Sequence, residues 1–235
     1  MIEQKPFLTR SECSQTAEAV MGLMPKWRKI AWPRSKGNAP FYLLGYSIYS
    51  CRNSLAGYRR GYSSLNPLLW EKFSWIYLRL QASLEKKLGA PVRFRKNASL
   101  PGFHIILTHP IFVRVPNPWH IDFDFELLPW KFPVDTHQVL SFTLPVSLPK
   151  DGAALDTLEL RYDDVSHLPR DKWPAQAKKA PFKKSYPHKL GKILIQDANT
   201  FHRIAPMRTL SEKKEMRITV QGLAVRQSKH WEIFW

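Results

Sequence analysis

Cysteine is nearly missing from this sequence: Cys13 and Cys51 are the only two in 235 residues. Two thiols cannot build a disulfide framework, so reduced side chains in a reducing compartment are expected. Long apolar runs are also missing. The best candidate, 41–51, is too short and too polar to span a bilayer. The first ten residues carry one acid and two bases but no apolar stretch, which excludes a secretory signal. A cytoplasmic protein is therefore expected, soluble or peripheral on the inner face of the cytoplasmic membrane. Glycine is scarce, ten against nineteen prolines with 13% aromatics, which favours a β-rich core with ordered loops over a helix bundle. Acid is in deficit too: 19 Asp and Glu face 36 Lys and Arg, a formal charge of +17. Such a charge attracts anionic partners, whether nucleic acid, a membrane surface or an acidic substrate.

What is present reads as one domain over 1–235, α+β but mainly β. In the first ninety residues, a helical support region, apolar spacing at Ala17, Val20, Met21 and Met24 predicts a helix with Ser11 as N-cap. Residues 26–40 read as loop. Asn66-Pro67 reads as the start of a second helix, carrying Leu69, Trp70, Phe73, Ile76, Tyr77, Leu80, Leu84 and Leu88 in one stripe, with Gly89 as its stop. That stripe is expected to pack across the back of a sheet. From Pro91 the period changes to short extended runs. Strands are expected at 91–95, 102–108, 111–115, 119–125, 138–146, 156–162, 191–196, 201–205, 215–225 and 230–235, with 163–190 as a long loop. Many strands after a helical layer predict a β-sandwich or barrel with helical support.

Two stretches carry chemistry. In Pro118-Trp119-His120-Ile121-Asp122, a strand would present His120 and Asp122 on one face. His202 follows 80 residues after Asp122. Two imidazoles and one carboxylate on one face of an octahedral metal make the site of non-haem Fe(II) oxygenases, leaving positions for a cosubstrate and O2. Fifteen residues after His202, Arg217 and Thr219 alternate onto one strand face. An arginine beside a hydroxyl suits a buried carboxylate, because the guanidinium gives two parallel charge-assisted hydrogen bonds. Asp124 shares the expected strand face with Asp122 and rivals it as ligand. Arg208 is the rival clamp.

His120-x-Asp122, His202 and Arg217-x-Thr219, in that order, resemble the Fe(II)/2-oxoglutarate-dependent dioxygenases over roughly residues 100–225. The resemblance implies a double-stranded β-helix (jelly-roll) core, here 91–235, flanked by the N-terminal helices. It implies iron on His120, Asp122 and His202, 2-oxoglutarate with its far carboxylate on Arg217 helped by Thr219, O2 as co-reactant, and hydroxylation of a substrate C–H bond.

Basic and aromatic residues interleave at 27–36, 58–62, 92–96 and 178–189, a mixture suited to a lipid headgroup layer or an anionic polymer. The end of the chain, Arg217-Ile-Thr-Val-Gln-Gly and then Trp231-Glu-Ile-Phe-Trp235, is similar to bacterial Kdo hydroxylases, which act on the 3-deoxy-octulosonate sugar of the lipopolysaccharide inner core. That resemblance implies an anionic membrane glycolipid as substrate, with 27–36 and 178–189 toward the membrane and Arg114 or Lys189 on the sugar carboxylate. Demethylation of nucleic acid is the rival; that branch carries a second arginine shortly after the clamp, where this chain has Gln221-Gly222-Leu223. A small-molecule hydroxylase and a non-catalytic module binding anionic membrane or nucleic acid are further alternatives.

Overall fold

The computed structural model describes residues 2–31, 39–51, 53–114, 117–150, 154–206 and 215–235. The apolar stripe after Asn66 does form a helix, but the helix starts earlier: α2 runs Leu55–Leu88, capped by Ser54, whose hydroxyl accepts from the Gly57 amide. Pro67 sits inside it and leaves the Ser63 carbonyl without its helical donor. The upstream turns persist because Tyr58, Gly61, Tyr62 and Leu65 are buried. Asn66 is no cap; its side chain donates to the Ala98 carbonyl and accepts from the Leu100 amide, each at 3.0 Å. Gly89 ends the helix in the left-handed region, as expected. The first helix, α1 (Arg10–Gly22), is capped by Thr9 rather than Ser11, in a reciprocal box with Glu12.

Twelve strands follow the chain among the described residues: β1 (Ile2–Pro6), β2 (Arg28–Lys29), β3 (Phe41–Leu44), β4 (Val92–Phe94), β5 (Gly102–Leu107), β6 (Val139–Ser147), β7 (Ala154–Arg161), β8 (Phe182–Pro187), β9 (Lys192–Asp197), β10 (Thr200–Ile204), β11 (Met216–Gln227) and β12 (His230–Phe234). Nine form one sheet, ordered β1-β9-β6-β11-β5-β3-β2 with β12 on β11 and β4 on β12; the other three form a sheet ordered β10-β7-β8. All pairs are antiparallel except β12 with β4. The result is a jelly-roll-type core with helices outside it.

Strand alternation divides the large sheet into two faces. Phe103, Ile105, Phe142, Leu144, Ile193, Ile195, Ile218 and Val220 form the outer face, buried with Leu69, Phe73, Ile76, Tyr77, Leu80 and Leu84 of α2. Each such side chain contributes roughly 1.5–3 kcal/mol by leaving water. The inner face carries rows fixed by register: Phe41, Ile106 and Arg217 in one, and Arg28, Leu43, His104, Thr219 and Pro145 in the next. Gly102 has no side chain because the Trp235 ring fills its place; a Cβ there would lie 1.9 Å from the indole.

Several expectations need correction. The expected strand at 111–115 does not form over its described residues; Ile111–Arg114 is a helical turn after Pro110. Residues 119–125 hold no strand either, only an isolated bridge at His120 and a 3-10 turn at Asp124–Leu127. The span 163–190 is not a long loop. It holds helices at Tyr162–Val165 and Trp173–Lys179, a 3-10 turn at Arg170–Lys172, and β8. Trp173 organises it, its indole N–H shared between the Val165 and Leu168 carbonyls and its ring edge-on to Tyr162 and Phe201. The first ninety residues supply, besides the two helices, strands β1, β2 and β3.

Candidate metal centre and anion site

The segment 117–123 crosses β10 at one place. The His120 amide donates to the His202 carbonyl (2.9 Å) and the His202 amide to the His120 carbonyl (2.8 Å). Beside this bridge the Arg203 guanidinium lies 4.2 Å over the Trp119 ring and donates from Nε to Asp156. The two imidazoles are thereby set side by side, ring centroids 4.6 Å apart. Asp122 closes the group: Oδ1 is 3.9 Å from His120 Nε2 and Oδ2 is 3.4 Å from His202 Nε2. One ligand atom from each of the three lies within 4.8 Å of the others. Asp124 is not in this group; it lines the same cavity from the 3-10 turn.

Both tautomers follow from the backbone. His120 Nδ1 is 2.9 Å from the Pro118 carbonyl and His202 Nδ1 is 2.9 Å from the Thr200 carbonyl. A carbonyl only accepts, so each Nδ1 carries the proton and each Nε2 turns a lone pair toward Asp122. Two lone pairs facing a carboxylate need a positive charge between them, and backbone-oriented imidazoles are what metal-binding histidines show. The residues fit a divalent metal with oxygen and nitrogen ligands. A proton on Nε2 can supply that charge where a metal does not: burial raises the Asp122 carboxyl, but His202, His120 and the Ser141 hydroxyl outweigh it and hold the group well below the usual carboxylate range. Burial lowers His202 and Asp122 outweighs it, leaving that imidazole raised. The Gln196 amide lies against the His202 ring, Nε2 3.3 Å from Nδ1, with its own Oε1 buried and unpaired.

The same cavity, about 680 Å³, reaches from the triad to Arg217. Arg217 is 1% exposed. Its Nη2 donates to His188 Nε2 at 3.4 Å, while Nε and Nη1 are buried with no hydrogen-bond partner among the described residues. Burial lowers this guanidinium to about 10, still charged near neutrality. A buried cation with unspent donors facing a cavity calls for an anion. Thr219 is fully buried on the same face, but its hydroxyl accepts from Gln221 Nε2 at 3.3 Å, and it is not among the described residues that line the cavity.

Sequence reasoning passed over His188, His104 and Tyr49 as site residues. His104, the ladder partner of Thr219, has Nε2 2.8 Å from the Tyr49 hydroxyl and Nδ1 buried without a partner among the described residues. Its only signal is a polar residue within an apolar strand, and strand pairing is needed to set it beside Arg217. Burial, then Arg217, pushes both His104 and His188 down to about 3. Arg28 lines the cavity from β2, its guanidinium 3.6 Å over the Tyr46 ring. Lys189 is exposed and does not line it. Arg208 and the side chain of Arg114 lie outside the described residues, as do 32–36 of the first basic cluster.

No family model matches this chain, and no curated protein does. Solved structures do match. An N-substituted L-amino acid dioxygenase from Burkholderia ambifaria AMMD, in complex with alpha-ketoglutarate (2-oxoglutarate), is 11% identical with a TM-score of 0.57, over 100% of this chain and 86% of that one. The non-haem alpha-ketoglutarate-dependent epimerase SnoN from nogalamycin biosynthesis is 16% identical, TM-score 0.52, over 96% and 80%. AviO1 from Streptomyces viridochromogenes Tue57 is 13% identical, TM-score 0.51, over 97% and 90%. At such identities the likeness is one of fold.

Proposed function

We propose that this chain is an Fe(II)- and 2-oxoglutarate-dependent dioxygenase that hydroxylates a C–H bond of an anionic substrate. One observation carries the reading. A single cavity holds a His-Asp-His group with both Nε2 atoms turned inward and, apart from it, a buried arginine with unspent donors. His120, Asp122 and His202 would hold the iron. The metal supplies the redox chemistry by which O2 oxidises 2-oxoglutarate to succinate and carbon dioxide and hydroxylates the substrate.

The chain's own groups then have separable tasks. The Pro118 and Thr200 carbonyls keep both imidazoles in the ligating tautomer. Ser141 lines the cavity with Asp122, and its hydroxyl helps keep the carboxylate ionised. Arg217 takes the far carboxylate of 2-oxoglutarate. Thr219, whose hydroxyl accepts from Gln221, keeps its own hydrogen to donate. Phe41, Ile121, Leu223 and Trp235 give the cavity an apolar wall that keeps water from the reacting groups.

For the substrate, Arg28 supports an anionic group. Its polar contacts are the Gly45 carbonyl at 3.4 Å and Cys51 Sγ at 4.0 Å, and among the described residues no carboxylate pairs with it. A sugar acid such as Kdo, carried on an anionic glycolipid, is our first candidate; nucleic acid is the second, supported by the same +17 charge. Among the described residues no helix is long and apolar enough to cross a membrane. A peripheral approach is supported by β8, an edge strand where Phe182, 57% exposed, adjoins exposed Lys183 and Lys184.

Anaerobic titration of the metal-free protein with Fe(II) and 2-oxoglutarate tests the reaction class. The expected result is the weak visible charge-transfer band of the chelate, lost in His202→Ala. No band with folded protein would overturn the reading.

A further inference from the structure

Arg217 cannot accept a hydrogen bond, so its contact at 3.4 Å makes His188 Nε2 the acceptor. The neutral His188 ring therefore carries its proton on Nδ1, and that N–H is buried without a partner among the described residues. His188 is 7% exposed, follows β8 directly, and lines the cavity together with Arg217. A buried donor left unsatisfied beside a buried, unpaired cation costs stability twice over. The arrival of a carboxylate in the shared cavity relieves the cost at the guanidinium and changes the field on the ring beside it.

We propose that His188 is a positioning residue of the anion clamp, accepting from Arg217 before the acid arrives and taking up a proton when a dicarboxylate seats against the guanidinium. This rests on the reading of Arg217 given above. Among the described residues Arg217 is the one charged group acting on His188; His104, also beside Arg217, additionally feels Asp122 and His120. The proton is excluded from His188 by burial and by the neighbouring cation. A bound carboxylate cancels that cation and offers an acceptor to the protonated ring, so the proton affinity of the imidazole rises against the burial that still opposes it. The clamp then presents two cationic donors to the acid instead of one, and it discriminates against a neutral isostere such as a diester or diamide.

The test is isothermal titration of the anaerobic Fe(II)-loaded protein with 2-oxoglutarate, in two buffers of different ionisation heat. If anion binding returns His188 to an ordinary value near 6.5, about 0.75 proton is taken up at pH 6.0 and almost none at pH 8.5. Affinity should rise about fourfold from pH 8 to pH 6 by the same linkage. His188→Gln places an amide oxygen where Nε2 stood, so it keeps the acceptor for Arg217 without a titrating group. It should bind 2-oxoglutarate within a few-fold of the parent at pH 8.5, with no proton uptake at pH 6.0. His104→Gln should retain the uptake. Binding without uptake in the parent, or uptake that survives His188→Gln, overturns the inference and leaves the Arg217 clamp standing. Unchanged binding in Arg217→Met overturns both.

Discussion

Arg217 leans on His188, a neutral base and not an acid, with 3.4 Å between Nη2 and Nε2 inside the cavity. A buried guanidinium normally finds a carboxylate, because desolvating a charge costs several kcal/mol that only a counter-charge restores. None of the ion pairs among the described residues involves Arg217. The structure without ligand therefore stores an electrostatic cost at this position.

Arg217→Met should accordingly stabilise the ligand-free protein while weakening 2-oxoglutarate binding about a hundredfold, the value of about 3 kcal/mol for a lost charge-assisted contact. The gain expected is on the order of 1–4 kcal/mol, by analogy with the range found when buried ion pairs are replaced by apolar residues of similar size. Urea denaturation with and without 2-oxoglutarate checks it. A variant that is less stable without ligand would show that the cation is already satisfied.

The triad and the arginine should separate kinetically. His120→Ala and His202→Ala are expected to lose Fe(II) binding and 2-oxoglutarate turnover while keeping the far-ultraviolet circular dichroism of the fold. Arg217→Ala should keep iron and raise the 2-oxoglutarate concentration needed for half-maximal turnover by a hundredfold or so, the value of about 3 kcal/mol for a lost charge-assisted contact. Wild-type turnover in all three variants would remove these residues from the site.

Acid should destabilise the protein earlier than its carboxylates require. His104 and His188 sit at about 3 in the fold, from burial and then Arg217, against about 6.5 in the unfolded chain. Between these limits the unfolded state binds more protons, so stability rises with pH and falls on acidification from about 6.5 toward 3. Each imidazole should remove about 2 kcal/mol between pH 7 and pH 5. The double variant His104→Gln/His188→Gln should flatten that slope in urea titrations at both pH values; an unchanged slope would place its origin elsewhere.

The basic edge strand predicts a membrane interaction with a specific dependence. Each lysine near an anionic surface is worth about 1 kcal/mol. Lys183→Glu/Lys184→Glu should weaken binding to phosphatidylglycerol-containing vesicles at least tenfold, and log affinity of the parent should fall steeply with salt. Salt-independent binding in a co-sedimentation assay would exclude an electrostatic attachment.

The central strands were legible because they are long and buried on both faces or alternate cleanly: β5, β6, β9 and β11 all coincide with expected runs. Of the strands not anticipated, β1, β2 and β8 sit at sheet margins and β3 lies one strand in, between β5 and β2. β1 is Ile-Glu-Gln-Lys-Pro and β8 is Phe-Lys-Lys-Ser-Tyr-Pro, sequences with too little apolar surface to signal a strand until a neighbour pairs with them. The start of α2 was hidden by Gly57 and Gly61, poor helix formers by propensity. Gly61 is there because a Cβ would fall 2.0 Å from the Tyr46 ring. His120, Asp122 and His202 were found by residue type and order, although the strand face that was to join them does not exist. His188 could not be found this way, since its partnership with Arg217 spans 29 residues and exists only in three dimensions.

The crossing of 117–123 over β10 has a consequence for how the centre comes apart. Two of the three triad residues belong to one irregular segment whose backbone pairing with β10 is a single bridge, the third to the strand under it. If the segment lifts, both His120 and Asp122 leave His202 together, so the centre opens as a clasp does, by one motion and not by loss of one ligand at a time. A metal seated there would fasten the clasp, and the quietest amides in the loaded protein should then be those of His120 and His202, far from any regular strand pairing on the 117–123 side.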